Sequence, residues 1–256
     1  MSMDTLQPKS FKVLVIGESC KDIYQFGSSA RLSPEAPVPV VKISREEYYP
    51  GMAANVANNL SALGHEVSLF TNSEIIKKTR IVDSKFNHHL LRIDDEPPLS
   101  QLSWEKYSGP SLSIFDAFVI SDYNKGFVPP ELVESVITHL SSYGKPIFVD
   151  SKKQDLSCFN NCIVKINQKE YDECISFPEE GELIVTLGSE GAVWKGSMFP
   201  VEKTDVFDVC GAGDTFLAGL VDSYLHTSGN ISESINFANK CGAQAVNKFG
   251  TFCLKR

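Results

Sequence analysis

The sequence predicts an α/β fold, a doubly wound and mostly parallel sheet with helices on both faces. Three observations predict it. Short apolar runs alternate with helical patterns along most of the 256 residues. A glycine turn at 211–213 opens an apolar helical stretch that continues to 225. Two β-rich segments, 23–47 and 78–94, stand outside the alternation.

In chain order, 12–17 is an apolar run ending in glycine, 52–63 reads as a helix closed by Gly64, and 66–70 as a strand. The run 115–121 precedes a helix opened by Pro129 and Pro130 and closed near Gly144, and 146–150, 162–166 and 183–186 are further strands. Unbroken apolar strands belong to a parallel sheet covered on both faces, which binds ligands at its carboxyl ends. The polar residues at those ends are Glu18 to Asp22, Asp122, Asp150 with Lys152, Asn167 with Glu170, and Thr186 to Gly191. Of the two exceptions, 23–47 is rich in proline and β-branched residues, and 78–94 has the pattern of a hairpin.

This length accommodates one α/β domain with a substantial core or two small ones, and a single domain over 1–256 is the expectation. A formal charge of −8 argues against a general nucleic-acid or membrane-surface binder and points to small-molecule partners. No apolar run approaches bilayer length, and residues 1–10 are polar without a signal-peptide core, so a cytoplasmic location is expected. The seven cysteines lack paired C-x-x-C spacing and nearby histidines, which suits reduced thiols. Cys158 and Cys162 are expected to be buried apolar residues. Cys210, at a helix N-terminus, is either a low-pKa thiol or a small packing residue, with packing preferred.

The stretch D-V-C-G-A-G-D at 208–214 carries the most chemistry. Its glycines let consecutive N–H groups converge at the free-donor end of the following helix, where anions bind. Asp214 at that end is placed to accept a proton from an attacking hydroxyl while the amides hold a phosphoryl group. A plain alternative is an acidic residue favoured by the helix dipole.

The whole segment resembles the second signature of the ribokinase-like (PfkB) carbohydrate kinases. The run S-P-E-A-P-V-P-V-V at 33–41, P-G-M-A-A-N at 50–55 and S-D-Y-N-K-G at 121–126 resemble motifs of bacterial D-glycero-β-D-manno-heptose 7-phosphate kinases within that family. The resemblance implies Asp214 as catalytic base and Gly211, Ala212 and Gly213 as anion hole. It implies sugar contacts from Asp22, Gly51 and Asn55, with Asp122 and Lys125 of the S-D-Y-N-K-G motif on the substrate side. Lys78, Arg80 and Arg92 are candidates for a sugar phosphate, since guanidinium forks match phosphate oxygens. Solvated strand charges are the alternative. Asn167 and Glu170 match an N-x-x-E motif that organises Mg²⁺ through waters; an ordinary capped helix start has the same pattern. Thr186, Gly188 and Gly191 match a nucleotide loop, and Asn239 lies on a helix that borders adenine in the family or simply packs. Segments 23–47 and 78–94 correspond to a small β-sheet lid that closes over the sugar and often forms a dimer contact.

The resemblance therefore implies an ATP- and Mg²⁺-dependent kinase, a homodimer, phosphorylating the anomeric hydroxyl of the heptose 7-phosphate. The alternatives are a kinase of another sugar or sugar phosphate, and a catalytically idle relative that binds nucleotide or a partner. Three features depart from the pattern. The chain is shortened after Thr71 and between Cys174 and Glu182, and ends soon after Thr251. Met52 stands where the family has a second glycine, and Glu18 and Ser151 where it has aspartate and proline. No H-x-G-H nucleotidyltransferase motif follows in these 256 residues, so the kinase step alone is expected.

Overall fold

A computed structural model describes residues 9–202, 208–247 and 253–254. Most of the polar leader and the segment 249–251 lie outside the described residues.

The chain enters through β1 (Lys12–Gly17) and passes at once into two long strands, β2 (Ser19–Leu32) and β3 (Pro39–Met52), then α1 (Ala53–Ala62) and β4 (Glu66–Phe70). A hairpin of β5 (Ile76–Asp83) and β6 (His89–Asp95) follows, then β7 (Ala117–Asp122), α2 (Pro130–Ser141), β8 (Ile147–Ser151), β9 (Cys162–Asn167) and the short α3 (Gln168–Glu173). The last elements are β10 (Gly181–Thr186), β11 (Ala192–Trp194), β12 (Ser197–Phe199), α4 (Ala212–His226) and α5 (Ile231–Val246).

Eight strands form one sheet in the order β12-β11-β10-β9-β8-β7-β1-β4. It is parallel from β10 to β4 and antiparallel only at β11 and β12. Period-two alternation divides its core into two layers. Val13, Val15 and Val119 face α1, α4 and α5, while Leu14, Ile16, Phe118 and Ile120 face α2 and the coil beside it. Every residue of β7 and β8 is buried, as strands covered on both faces require. The expected doubly wound sheet is present. The β11–β12 edge was not read from the sequence, because three-residue strands carry too little pattern.

The exceptional segments form a second sheet, β3-β2-β5-β6. Its strands exceed the expected 23–47 and 78–94: β2 starts at Ser19 and β3 reaches Met52. β2 pairs antiparallel with β3 and parallel with β5, so the hairpin is docked on the first pair by backbone hydrogen bonds. Ser19 pairs with Met52, directly before α1, which roots this sheet beside the carboxyl end of β1.

The carboxyl ends of β7 and β8 are joined by a buried ion pair. Lys153 reaches Asp122 at 2.6 Å and the Val128 carbonyl at 2.7 Å, and Ser151 Oγ donates to the same carboxylate at 2.6 Å. Removing one partner of such a pair leaves an uncompensated buried charge. Lys153→Ala is expected to lower unfolding free energy by about 3 kcal/mol, read as a lower urea midpoint with an unchanged slope.

Candidate active site

Asp214 occupies the first turn of α4, and its carboxylate is 5% exposed. Gly211 caps this helix at φ 75°, a left-handed conformation that glycine adopts without a steric cost. At Gly213 the reason for glycine is space, since a Cβ there would lie 3.0 Å from Lys165 Nζ. The first-turn N–H groups and a buried ammonium therefore converge on one place. The Ala212 N–H already donates to the Val209 carbonyl at 3.3 Å, so the convergence of donors centres on Gly213 and Asp214.

Both oxygens of Asp214 are held. Asn55 Nδ2 donates to Oδ2 at 2.9 Å from the first turns of α1, and the Tyr123 hydroxyl donates to Oδ1 at 2.7 Å from the turn after β7. Burial pushes the Asp214 carboxyl up to about 6, against the lowering effect of these hydrogen bonds. A carboxylate that ionises near neutrality suits a general base. Asn55, expected to touch sugar, has its amide committed to Asp214 and its Oδ1 to Asn59 at 3.0 Å.

Beside the 211–213 turn lies a chain of ion pairs. Lys165 Nζ donates to Asp150 Oδ2 at 2.6 Å, Lys152 to Asp150 Oδ1 at 3.1 Å, and Lys152 to Glu170 Oε1 at 2.5 Å. Burial opposes ionisation of Asp150, but Lys165 and Lys152 outweigh it and hold the carboxyl below its usual range. Lys165 is a site residue that sequence reasoning missed. Its signal was a lysine in the otherwise apolar strand 162–166, at a position that is only 2% exposed.

Asn167 and Glu170 form a complete capping box on α3: Asn167 Oδ1 accepts from Glu170 N at 2.9 Å and Glu170 Oε2 from Asn167 N at 2.8 Å. With Oε1 on Lys152, Glu170 is occupied by protein donors on both oxygens. That donor set suits a hydrated divalent cation met through water, as Mg²⁺ prefers, better than direct coordination.

A cleft of about 540 Å³ opens over these groups. Its lining includes Asp214, the 211–213 turn, Asn167, Thr186, Gly188, Gly191 and Asn239, together with the apolar Val209, Phe216 and Val246. Asn239 also ties α5 to β12 by donating to the Phe199 carbonyl at 2.8 Å. Residues expected on the sugar side do not line this cleft. Asp22, in β2, is 7% exposed and paired with Arg80 of β5, and Gly51 leaves room for its carboxylate. Lys78 and Lys125 both bind Glu96, at 2.6 and 2.7 Å, which ties the small sheet to the turn after β7. Arg92 is exposed on β6 and bonded to Asp94 of its own strand. Asp122 spends its oxygens on Ser151, Lys153 and the Asn124 amide, so it anchors this turn.

Burial raises the Cys210 thiol above its ordinary range, which corrects the low-pKa option; its side chain is half-buried. Burial likewise pushes Cys158 to about 11 and Cys162 to about 12. Among the described residues no helix is long and apolar enough to cross a membrane.

The sequence profile of the pfkB family carbohydrate kinases matches residues 92–254. The chain is 31% identical to the bifunctional protein HldE of Helicobacter pylori, over 94% of this chain and 64% of that protein. It is 32% identical to the HldE of Nitratiruptor sp., over 93% and 62%. It thus spans less than two thirds of these relatives. The first alignment runs over 295 positions against a chain of 256, in keeping with the expected internal shortening. Among solved structures, phosphofructokinase-2 from Escherichia coli superposes with a TM-score of 0.72 at 17% identity, covering 96% of each chain. A ribokinase from Thermotoga maritima gives 0.67 at 18%, covering 94% of each. These likenesses show a ribokinase-like fold.

If Asp214 must be ionised to act, activity is present above its pKa and lost as pH falls through it. Turnover is therefore expected to have an acid limb with a midpoint near pH 6, measured as kcat/KM against pH.

Proposed function

Since the chain belongs to the pfkB family of carbohydrate kinases, we propose that it transfers the γ-phosphoryl group of ATP to the anomeric hydroxyl of D-glycero-β-D-manno-heptose 7-phosphate, giving the 1,7-bisphosphate. The observation that carries this reading is Asp214, buried at the N-terminus of α4 between the cleft and the small sheet and ionising near neutrality. The heptose assignment is supported by the motifs at 33–41, 50–55 and 121–126.

ATP fits the cleft lined by Thr186, Gly188, Gly191 and Asn239, with its γ-phosphate directed at the 211–213 turn and Lys165. Those donors are in place before reaction and stabilise the charge on the transferring group. The acceptor hydroxyl enters from the opposite side, beneath the lid formed by β2, β3, β5 and β6, where Asp22 is the carboxylate nearest Gly51. Asp214 orients that hydroxyl and takes its proton as the bond to phosphorus forms. Mg²⁺, held through water by Glu170 and Asn167, neutralises phosphate oxygens when bound. A lid over the sugar excludes water from the γ-phosphate and suppresses hydrolysis.

A different acceptor is the second reading, and Met52 favours it. Its side chain is buried beside Cys20 in the position of a family glycine and reshapes the sugar side. ADP release with ATP, Mg²⁺ and a panel of heptose 7-phosphate, fructose 6-phosphate, ribose and nucleosides separates the two. Turnover confined to the heptose supports the first reading; another preferred sugar replaces it. Asp214→Asn is expected to reduce turnover by about 10³-fold, with ATP affinity changed less than about threefold. Near-normal turnover in this variant sinks the mechanism.

The lid also supports a homodimer. Leu91 and Ile93, two residues apart on β6, share a face of the sheet and are 55% and 50% exposed. Light scattering is expected to show a dimer that Ile93→Glu converts to a monomer; a wild-type monomer at assay concentration contradicts this.

A further inference from the structure

Phosphoryl transfer needs the Asp214 carboxylate, but does not by itself need the phenol that donates to Asp214 Oδ1 at 2.7 Å. The chain invests heavily in placing that phenol. Tyr123 follows β7, and Glu18 follows the adjacent β1, so the two turns are neighbours. Glu18 is 0% exposed and gathers three backbone amides of the 123–127 turn: Tyr123 N at 2.8 Å, Lys125 N at 3.1 Å and Phe127 N at 3.1 Å. A carboxylate buried this deeply is tolerated because the amides satisfy it, and in return it fixes the turn.

The ring is fixed as well. Tyr123 and Leu99 pack on a small cluster of Met52, Cys20 and Ile76. Met52 has φ 59° and ψ −134°, backbone geometry unfavourable to a residue with a Cβ. A glycine would relieve that strain but would take a side chain out of the cluster on which Tyr123 packs.

We propose that Tyr123 is the positioning residue of the base: its phenol fixes the rotation of the Asp214 carboxylate and turns the remaining lone pair of Oδ1 toward the acceptor hydroxyl, with Glu18 holding its backbone and the Cys20–Met52–Ile76 cluster its ring. This rests on Asp214 being the base. Each carboxylate oxygen offers two acceptor sites, so the phenol and the substrate hydroxyl are bound together rather than in competition. Burial and the charge of Asp214 push the phenol well above its ordinary pKa, so it remains a donor and never becomes a rival base.

The titratable or charged groups facing Asp214 are Tyr123 after β7, Asp150 on β8, Lys165 on β9 and Cys20 on β2; Asn55 faces it as a neutral donor. Of these, Tyr123 and Asn55 hydrogen-bond to the ionised carboxylate, and such bonds favour ionisation. Loss of the phenol alone is therefore expected to raise the pKa of the base.

Tyr123→Phe keeps the ring against the Cys20–Met52–Ile76 cluster and removes only the hydroxyl. Titration of the Asp214 side-chain carboxyl by ¹³C NMR, without substrate, is expected to show a midpoint about one pH unit higher in the variant. With whichever sugar the wild type turns over, the acid limb of kcat/KM should move up equally and kcat fall about tenfold, the KM for ATP remaining unchanged. Thermal melting checks that the variant is folded; if it is not, Glu18→Asp, which shortens the clamp and keeps the phenol, should move the midpoint in the same direction. An unmoved Asp214 midpoint in the folded variant overturns the proposal. Failure of every sugar with the wild type would instead overturn the proposed reaction, while the substrate-free titration still judges the phenol.

Discussion

The buried carboxylate of Asp214 is the constraint around which the site is arranged. A carboxylate removed from water is costly unless its charge is compensated, and full compensation would lower its pKa and make it a poor base. The structure lies between these limits. Asn55 and Tyr123 supply one hydrogen bond to each oxygen, while burial keeps the carboxyl near 6. Each donor arrives from a different part of the chain: α1, which follows the lid strand β3, and the turn after β7.

The neighbouring charges follow the same economy. Asp150 lies between Lys165 and Lys152, and Lys152 also holds Glu170, so buried Lys165 and Asp150 and half-buried Lys152 and Glu170 are paired in alternation beneath the cleft. Burial disfavours the charged form of Lys152, but Asp150 and Glu170 prevail and keep it protonated above its ordinary range.

Contact between the small sheet and the turn after β7 is both apolar, through Cys20, Met52 and Ile76 against Tyr123, and electrostatic. Lys78 on β5 and Lys125 beyond β7 share Glu96, and Lys125 belongs to the turn whose backbone Glu18 gathers. The small sheet, the turn after β7 and Asp214 are thus joined through contiguous contacts. Asp22 and Arg80 add a buried pair within the lid sheet, beside the ring of Tyr24.

The doubly wound sheet, the helix after 211–214 and the position of Asp214 were legible in the sequence, because apolar periodicity and glycine spacing are local properties. So was N-x-x-E, although its two polar residues form a capping box here and leave only water-mediated contact for a cation. Lys165 was not legible as part of the site; Glu18 and Tyr123 were noticed at a strand end and within S-D-Y-N-K-G, but not as a clamp and a donor to Asp214. Lys165 read as one polar residue in an apolar strand, and Glu18 as a substitution, because their partners lie 15 residues away for Lys165 and 105 to 109 away for Glu18. Sequence alone determined which segments become strands and where the glycine turn opens α4, since backbone sterics and hydrophobic alternation act over a few residues. Only the tertiary structure decided which buried charges meet, because the sheet order β9-β8-β7-β1 brings the ends of distant strands side by side, where desolvation makes every pairing count.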